Sequence, residues 1–593
     1  MAPPETPDRP AVTLENGSLE EMSKNERIKV ESKGLYYVSD GKGEVHSFRD
    51  EIDALERGER PTIGAEAKEL SKFHGIYRQQ GRGERGRRVA DDHFFMVRLK
   101  CPAGGALRPA QWFAIDDAAD AFGDGTLRLT SRQSIQFHHV YGPKLAPLIR
   151  HLSRNYRRDG TLSACGDVNR NVMMSPLDAL DPDLDVRGQE LAYEIAQELA
   201  PRSSSYFQVW LADAEGNKHG VVSPEEPLYG SQYLPRKFKI GIAHPRDNSI
   251  DVLTQDVGFV PVTGPGIEPG SVWDVHTGGG LGMTHHNEAT APLLGLYVGR
   301  IPRAQVVDTA RAIAILQKEQ GERKDRRLAR WKYTIRRLGT EAVKASLRTR
   351  FGIDLEDAEP QPLAALDLLH GWHPQRGGGG FYGLSIEGGR VGPALRRGIR
   401  AAVAELGLTV RLTPQQDLLL CDVADRAALE SILRRHGVPL PDAIGLVRRS
   451  SMACPAKPTC GLAMTEAERI LPQWIDEIER AGLGDVDVVI RMTGCPNGCA
   501  RPPTAEIGIF GYGKNDHVVL VGGSREGSRL ARTLYERISA ERMVAVLVGL
   551  LRAIRDRNPG GLSAGEFLYR TDPAQLRSWV GVDDGAVSRP AHG

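Results

Sequence analysis

Four of the seven cysteines fall into two close pairs: Cys454 and Cys460 with five residues between them, and Cys495 and Cys499 with three, the pairs lying 34 residues apart. Clustered thiolates are ligands for soft metal centres. Structural zinc sites favour knuckles with about two to four residues between cysteines, which the first pair fits poorly. One wide and one narrow pair suit a larger iron–sulfur core better, while zinc and unliganded buried thiols remain the alternatives at this point. Between the pairs, Thr465-Glu-Ala-Glu468 reads as a capping box opening a helix with Ile470, Leu471, Trp474, Ile475 and Ile478 on its apolar face. Asp487 to Met492 then reads as a strand that runs into Thr-Gly-Cys-Pro-Asn-Gly-Cys, where Pro and Gly force a tight loop. Such an excursion returns the chain to its start, so the four sulfurs can converge. Cys101 and Cys421 lie on apolar, strand-like runs and read as packed thiols.

The other residues with chemical promise are cations in the first half of the chain. Arg98 sits in Phe-Met-Val-Arg-Leu-Lys, Arg128 and Arg132 in Leu-Arg-Leu-Thr-Ser-Arg-Gln, and Arg170 in Cys165-Gly-Asp-Val-Asn-Arg-Asn171. Tyr233-Leu-Pro-Arg-Lys-Phe-Lys239 adds three more. In extended backbone, residues two apart share a face, so Lys237 and Lys239 point one way and Arg236 and Phe238 the other. A row of cations on one face is an anion site, or else a solvated edge strand guarded by lysine.

These residues need elements to hold them, and a self-comparison suggests which. Leu127-Arg-Leu-Thr-Ser-Arg-Gln-Ser-Ile-Gln-Phe-His-His-Val140 recurs as Val410-Arg-Leu-Thr-Pro-Gln-Gln-Asp-Leu-Leu-Leu-Cys-Asp-Val423, each copy a strand, a turn and a strand. Each copy follows a Gly-rich strand segment (Val97 to Gly105; Gly379 to Gly389) and a helical stretch (Pro109 to Phe122; Pro393 to Leu406). Each also precedes an unusual polar loop, beginning at Cys165 in one half and Ser451 in the other. The pattern predicts an α+β chain of two duplicated, pseudo-two-fold halves, with a ligand at their interface. Its expected units are an arm over 1–72, half-domains over 73–152 and 346–440, and larger mixed domains over 153–345 and 441–593. Leu19 to Lys33 reads as one short helix in the arm.

Composition narrows the function. With 77 Lys and Arg against 76 Asp and Glu, the net charge of +1 offers no overall field for nucleic acid or an anionic membrane. The longest apolar run, Met543 to Leu551, is far short of the ~20 residues of a membrane span. The Pro-rich, partly acidic start reads as neither a secretory signal nor a transit peptide, so the chain is expected to be cytoplasmic.

Together these residues resemble the sulfite reductase hemoprotein and ferredoxin-dependent nitrite and sulfite reductase family. The matching segments are RLTSRQSIQFH, DVNRNV, YLPRKFK, SMACPAKPTCGLAMTEAER and TGCPNGCAR, in that order, from about Phe73 to the C-terminal region. The resemblance implies a 4Fe–4S cluster on Cys454, Cys460, Cys495 and Cys499, and siroheme, an iron isobacteriochlorin with eight carboxylates, whose iron shares the thiolate of Cys499. It also implies that Arg128, Thr130, Arg132, Gln136, His138, Arg236, Arg330 and Asn497 hold the cofactor, and that Arg98, Arg170, Lys237 and Lys239 line the face where the substrate anion binds. Some family members join a Tyr and a Cys covalently beside the active site, and Tyr77 and Cys165 occupy matching positions here.

The activity so implied is six-electron reduction of sulfite to sulfide, with nitrite reduction to ammonia as the alternative. Family members that reduce sulfite carry the second lysine of the Lys-x-Lys pair, so Lys239 favours sulfite. With no G-x-G-x-x-G between a strand and a helix and no flavin module, electrons must come from a partner. That partner is a ferredoxin, whose branch of the family the Gly278-Gly-Gly-Leu-Gly-Met-Thr-His-His segment and the N-terminal arm resemble, or a separate flavoprotein subunit. A reading of another class is a non-catalytic four-cysteine zinc or iron–sulfur module.

Overall fold

A computed structural model of the chain describes residues 22–32, 36–38, 45–82, 88–155, 161–162, 166–201, 210–212, 218–220, 228–230, 233–284 and 287–582. The duplication is visible in its sheets. In the first half, Met173–Met174 pairs parallel with Ile240–Ile242, which pairs parallel with Val257–Pro261; Val272–Thr277 and Leu296–Pro302 follow antiparallel. In the second half, Met452–Ala453, Ile490–Thr493, Ile507–Gly511, Asp516–Val521 and Arg532–Ser539 repeat the same sequence of pairings. The central strands Val257–Pro261 and Ile507–Gly511 are buried along their whole length, as expected where both faces of a sheet are covered.

The repeated segment forms hairpins in two smaller sheets. One carries Ile76–Arg82, Arg88–Lys100, Ser134–Val140 and Leu127–Leu129; the other carries Gly371–Pro374, Gly380–Leu384, Leu418–Val423 and Thr409–Leu412. The two turns share an unusual backbone. Gln133 and Gln416 are both left-handed, with φ of 51° and 70°, and so are His139 and Asp422, at 52° and 67°. The helices Pro109–Phe122 and Pro393–Leu406 each open on proline, whose fixed φ suits the first helical turn.

The halves also exchange backbone. Val391 pairs with Leu127 of the first hairpin, and Leu107 exchanges two hydrogen bonds of 2.8 and 2.9 Å with Val410 of the second. A single core runs beneath both small sheets, from Trp112, Ile135 and Phe137 to Ile399, Leu418 and Leu433. Each larger sheet has its own core.

Three local expectations need correction. Among the described residues the N-terminal helix spans Lys24–Ser32 and begins after Ser23, while the expected ends at Leu19 and Lys33 lie outside the described residues. The helix between the cysteine pairs spans Leu471–Arg480 and buries Leu471, Trp474, Ile475 and Ile478, but Thr465 and Glu468 lie before it and do not cap it. Glu468 is taken by two arginines, which outcompete a backbone cap for its carboxylate. The strand after that helix is Ile490–Thr493. Among the described residues no helix is long and apolar enough to cross a membrane.

Candidate active site

The two cysteine pairs come together at the ends of parallel strands. Cys454 follows Met452–Ala453 and Cys495 follows Ile490–Thr493, strands paired in register with Ala453 opposite Met492. The Gly494 N–H points at Cys454 Sγ at 3.4 Å, and Asn497 Nδ2 points at Cys495 Sγ at 3.4 Å. Gly498, at φ 66°, turns the chain so that Cys499 follows at once. Cys454 and Cys495 are buried, Cys460 is half-buried and Cys499 exposed. Burial, and then the neighbouring Cys499, push the Cys495 thiol up to about 12. Burial and the other three sulfurs likewise raise Cys454. Cys454 and Cys495 are thereby disfavoured as thiolates on their own, and a cationic metal core would supply the charge that makes them ligands. Among the described residues no three His, Cys, Asp or Glu side chains are gathered as a single-ion site.

Facing Cys499 is a chamber of cations. Asn169 bridges to Phe238 in parallel register, with Arg170 N–H donating to the Phe238 carbonyl at 2.8 Å. This pairing sets Arg170 beside Lys237 and Lys239, whereas Phe238 is buried in the core. The Lys239 N–H donates to Asp256 Oδ2 at 2.9 Å, and Arg330 Nη2 lies 3.0 Å from both oxygens of the same carboxylate. Arg132 reaches into the chamber from the repeat turn, donating to Gln255 Oε1 at 2.7 Å and to the Asn171 carbonyl at 2.5 Å. From the same turn, Ser131 Oγ donates to the Cys499 carbonyl at 2.7 Å, which joins the chamber to the cysteine loop.

The charges there oppose one another. Burial, then Arg132, Lys237 and Arg330, hold Lys239 well below its ordinary value. Burial, then Arg236, Arg330 and Arg170, do the same for Lys237, and the Cys499 sulfur acts in the opposite sense. Burial and Arg170 bring Arg132 down to about 9; burial and Arg326 bring Arg236 to about 10. So many cations in one space, only partly offset by Asp256 and Asp167, favour an anionic ligand.

Arg98, Arg128, Gln136, His138 and Tyr77 lie on strands of the first small sheet. Arg98 pairs with Gln136 across neighbouring strands; with the Gln136 amide turned so that its oxygen faces the guanidinium, it accepts from Arg98 Nε at 3.1 Å. Gln136 contacts His138 Nε2 at 3.0 Å. Burial and Arg390 hold His138 well below its ordinary value, so its ring is neutral. Thr130 Oγ1 accepts the backbone N–H groups of Arg132 and Ser134 at 3.3 and 3.2 Å, and thereby shapes the turn. Arg128 donates to the Ala453 carbonyl at 2.7 Å and lies 3.3 Å from Glu468. Arg236 is 4.0 Å from Asp167. Tyr77 is half-buried opposite Met96; Cys165, its expected partner, lies outside the described residues.

Siroheme presents carboxylates, and the chain has donors to spare for them. Arg128 Nη1, Arg132 Nε, Arg330 Nε and Arg501 Nε are buried with no protein acceptor among the described residues. Orphaned guanidinium N–H groups around a chamber fit a polyanionic macrocycle. Asp256, Asp167 and Glu468 are the charged partners the sequence concealed. No motif marks Asp256, Glu468 drew attention only as part of a supposed capping box, and Asp167 only through the DVNRN run.

Thiols gathered on one side of a cationic chamber with unspent donors define a redox protein that sets an iron–sulfur core against a carboxylate-bearing macrocycle. Residues 165–355 match the nitrite and sulphite reductase 4Fe-4S domain, and residues 87–155 and 373–435 match the nitrite/sulfite reductase ferredoxin-like half domain. The chain belongs to the nitrite and sulphite reductase family, an oxidoreductase family whose cofactors are siroheme and a 4Fe–4S cluster. It is 39% identical over 539 residues to the sulfite reductase (ferredoxin) of Synechococcus elongatus, covering 86% of this chain and 85% of that one. It is 36% identical over 575 residues to the sulfite reductase (NADPH) hemoprotein beta-component of Chromohalobacter salexigens, covering 94% and 96%. The fold is also that of the Mycobacterium tuberculosis NirA protein, at a TM-score of 0.71 and 23% identity over 89% of this chain and 95% of the other.

Proposed function

We propose that this chain reduces sulfite to sulfide with electrons from a reduced ferredoxin. The observation that carries the reading is the pair Lys237 and Lys239, held beside Arg132 and Arg170 by the Asn169–Phe238 bridge and by Asp256. In this reading the units are those expected from the sequence: the arm, two half-domains over 73–152 and 346–440, and two larger domains over 153–345 and 441–593. Cys454, Cys460, Cys495 and Cys499 hold the cluster. Arg128, Thr130, Arg132, Gln136, His138, Arg236, Arg330 and Asn497 hold the siroheme.

Bound together, the two cofactors would relay the donor's electrons and supply a Lewis-acidic iron. The chain's own part is to bind the anion, neutralise its oxygens and deliver protons as they leave as water. Arg98 and Arg170 present fixed guanidinium donors that suit an oxyanion. Lys237 Nζ and Lys239 Nζ are acidified by burial, so each gives up a proton more readily than an exposed lysine, and each oxygen departs with protons rather than as oxide. The neutral His138 ring fixes Gln136, which in turn orients Arg98.

Identity of 39% to a sulfite reductase (ferredoxin) supports the donor named here, and related hemoprotein beta-components named for NADPH keep a flavoprotein donor as its rival. Methyl-viologen-driven turnover of sulfite and of nitrite, repeated with reduced ferredoxin and with NADPH plus flavoprotein, tests both choices. The reading requires a higher kcat/KM for sulfite and turnover with ferredoxin. A preference for nitrite, or turnover only with the flavoprotein, overturns the corresponding half. Purified protein without haem bands in the visible spectrum would favour a non-catalytic thiol module.

A further inference from the structure

We propose that Glu26, in the N-terminal helix Lys24–Ser32, is a positioning residue for the substrate anion: it holds Arg323 and Arg326, which hold the two segments carrying Arg170, Lys237 and Lys239. The inference rests on the reading that those three cations bind the anion.

Glu26 is 1% exposed although it belongs to the arm. Its Oε2 accepts from Arg323 Nη1 at 2.7 Å, and its Oε1 lies 3.7 Å from Arg326 Nη1. Arg323, itself buried, sends Nη2 to the Tyr233 carbonyl at 2.8 Å. Tyr233 begins the segment that ends in Lys237 and Lys239, and at φ 54° it holds a left-handed backbone that the surroundings must stabilise. Arg326 grips Asp167 with both Nη atoms, at 3.0 and 3.1 Å, and reaches the Pro235 carbonyl at 3.5 Å. Asp167 stands three residues before Arg170, and its carbonyl accepts the Leu234 N–H at 3.0 Å. One carboxylate therefore governs both walls of the chamber.

The helix is pinned so that it can do this. The Ser23 N–H donates to the Arg323 carbonyl at 3.4 Å, and Asn25 Nδ2 donates to Glu69 Oε2 at 2.8 Å. Arg132, Arg170, Arg236, Lys237 and Lys239 repel one another. Loss of the Glu26 carboxylate leaves Arg323 buried with less compensation and frees the Tyr233 segment to move away from that repulsion. Spread cations bind an anion more weakly, whereas a neutral ligand of the haem iron is indifferent to them.

The test uses the holoenzyme with Glu26→Gln, Glu26→Asp, Arg326→Lys and Lys237→Ala. Sulfite and carbon monoxide are titrated against the siroheme spectrum, and kcat and KM are measured with methyl viologen. Glu26→Gln is expected to raise the sulfite Kd and KM about tenfold, as befits a broken buried charge pair acting at one remove, with kcat within about twofold and carbon monoxide affinity unchanged. Glu26→Asp should recover most of the affinity. Arg326→Lys, which keeps the charge but loses the two-pronged grip, should reproduce the loss even if Glu26→Gln fails to fold. Sulfite affinity unchanged in both variants, or sulfite and carbon monoxide weakened alike, overturns the proposal. Sulfite affinity unchanged in Lys237→Ala identifies a failure of the underlying reading instead.

Discussion

In the proposed reading, Lys239 is the residue on which the choice of anion turns. Replacing it by asparagine removes one charge-assisted contact, worth about 1.5–3 kcal/mol, so Lys239→Asn should move the ratio of kcat/KM for sulfite to that for nitrite at least about tenfold toward nitrite. An unchanged ratio in parallel assays removes the argument for sulfite. Both chamber lysines have folded-state values below the ordinary lysine range, so their cationic forms, and with them the anion affinity, are present at lower pH and lost as pH rises through those depressed values. Sulfite Kd measured from neutral to alkaline pH should therefore climb earlier than an unperturbed lysine allows, and the climb should be blunted in Lys239→Asn. The cysteine quartet was legible because thiol chemistry is rare and its spacing constrained. Asp256 was not, because a carboxylate that neutralises Arg330 and orients the Lys239 backbone has no spacing rule of its own.

At the scale of elements, the turn after each first hairpin strand does two jobs. Gln133 bends the chain left-handedly and sends Nε2 to the Leu412 carbonyl at 3.0 Å and the Met174 carbonyl at 2.7 Å, while its Oε1 accepts the Met174 N–H at 3.1 Å. Gln416, its counterpart, donates to the Ala453 carbonyl at 2.9 Å. Each turn thus ties a small sheet to the first strand of a larger one. Gln133→Ala strands buried backbone groups, each costing about 1–3 kcal/mol; denaturant unfolding should register a loss of that order, and no loss would deny the turn its joining role. The repeat was readable from matching residues, and the helices Pro109–Phe122 and Pro393–Leu406 from their proline starts. The supposed capping box at Thr465 was misleading because Arg128 and Arg390, remote in sequence, compete for Glu468.

For the whole molecule, the two halves meet at a buried ion cluster. Asp251 and Arg501 each adopt a left-handed backbone just before a 3-10 turn in equivalent positions. Arg501 Nη1 lies 2.9 Å from Asp251 Oδ2, which also accepts from Arg491 Nη1 at 2.6 Å. Arg501 further donates to the Ser249 and Pro414 carbonyls, both at 2.7 Å. Removing a buried partner leaves uncompensated charge, so Asp251→Ala should cost about 3–5 kcal/mol in unfolding free energy. A stability close to that of the parent would show the cluster to be dispensable. In the proposed reading, turnover driven by reduced ferredoxin should fall more steeply with ionic strength than viologen-driven turnover, because docking of a charged protein adds to the screening of sulfite that both assays share; parallel salt profiles would argue against a charged dock.

The sequence by itself determined which chemistry the chain could host. Thiols, guanidiniums and lysines announce themselves by residue type, and a duplication leaves its trace in residues that fold alike. What only the tertiary structure decided is how those groups are held: Ser131 against the Cys499 carbonyl, Asp256 beneath Arg330 and Lys239, and Glu26 against Arg323 and Arg326. These partners lie far apart along the chain, and a carboxylate or a hydroxyl on a loop carries no sign of the partner it will meet. The buried compensation of charge is a property of the folded interior, where a cation's cost depends on every neighbour the fold brings to it.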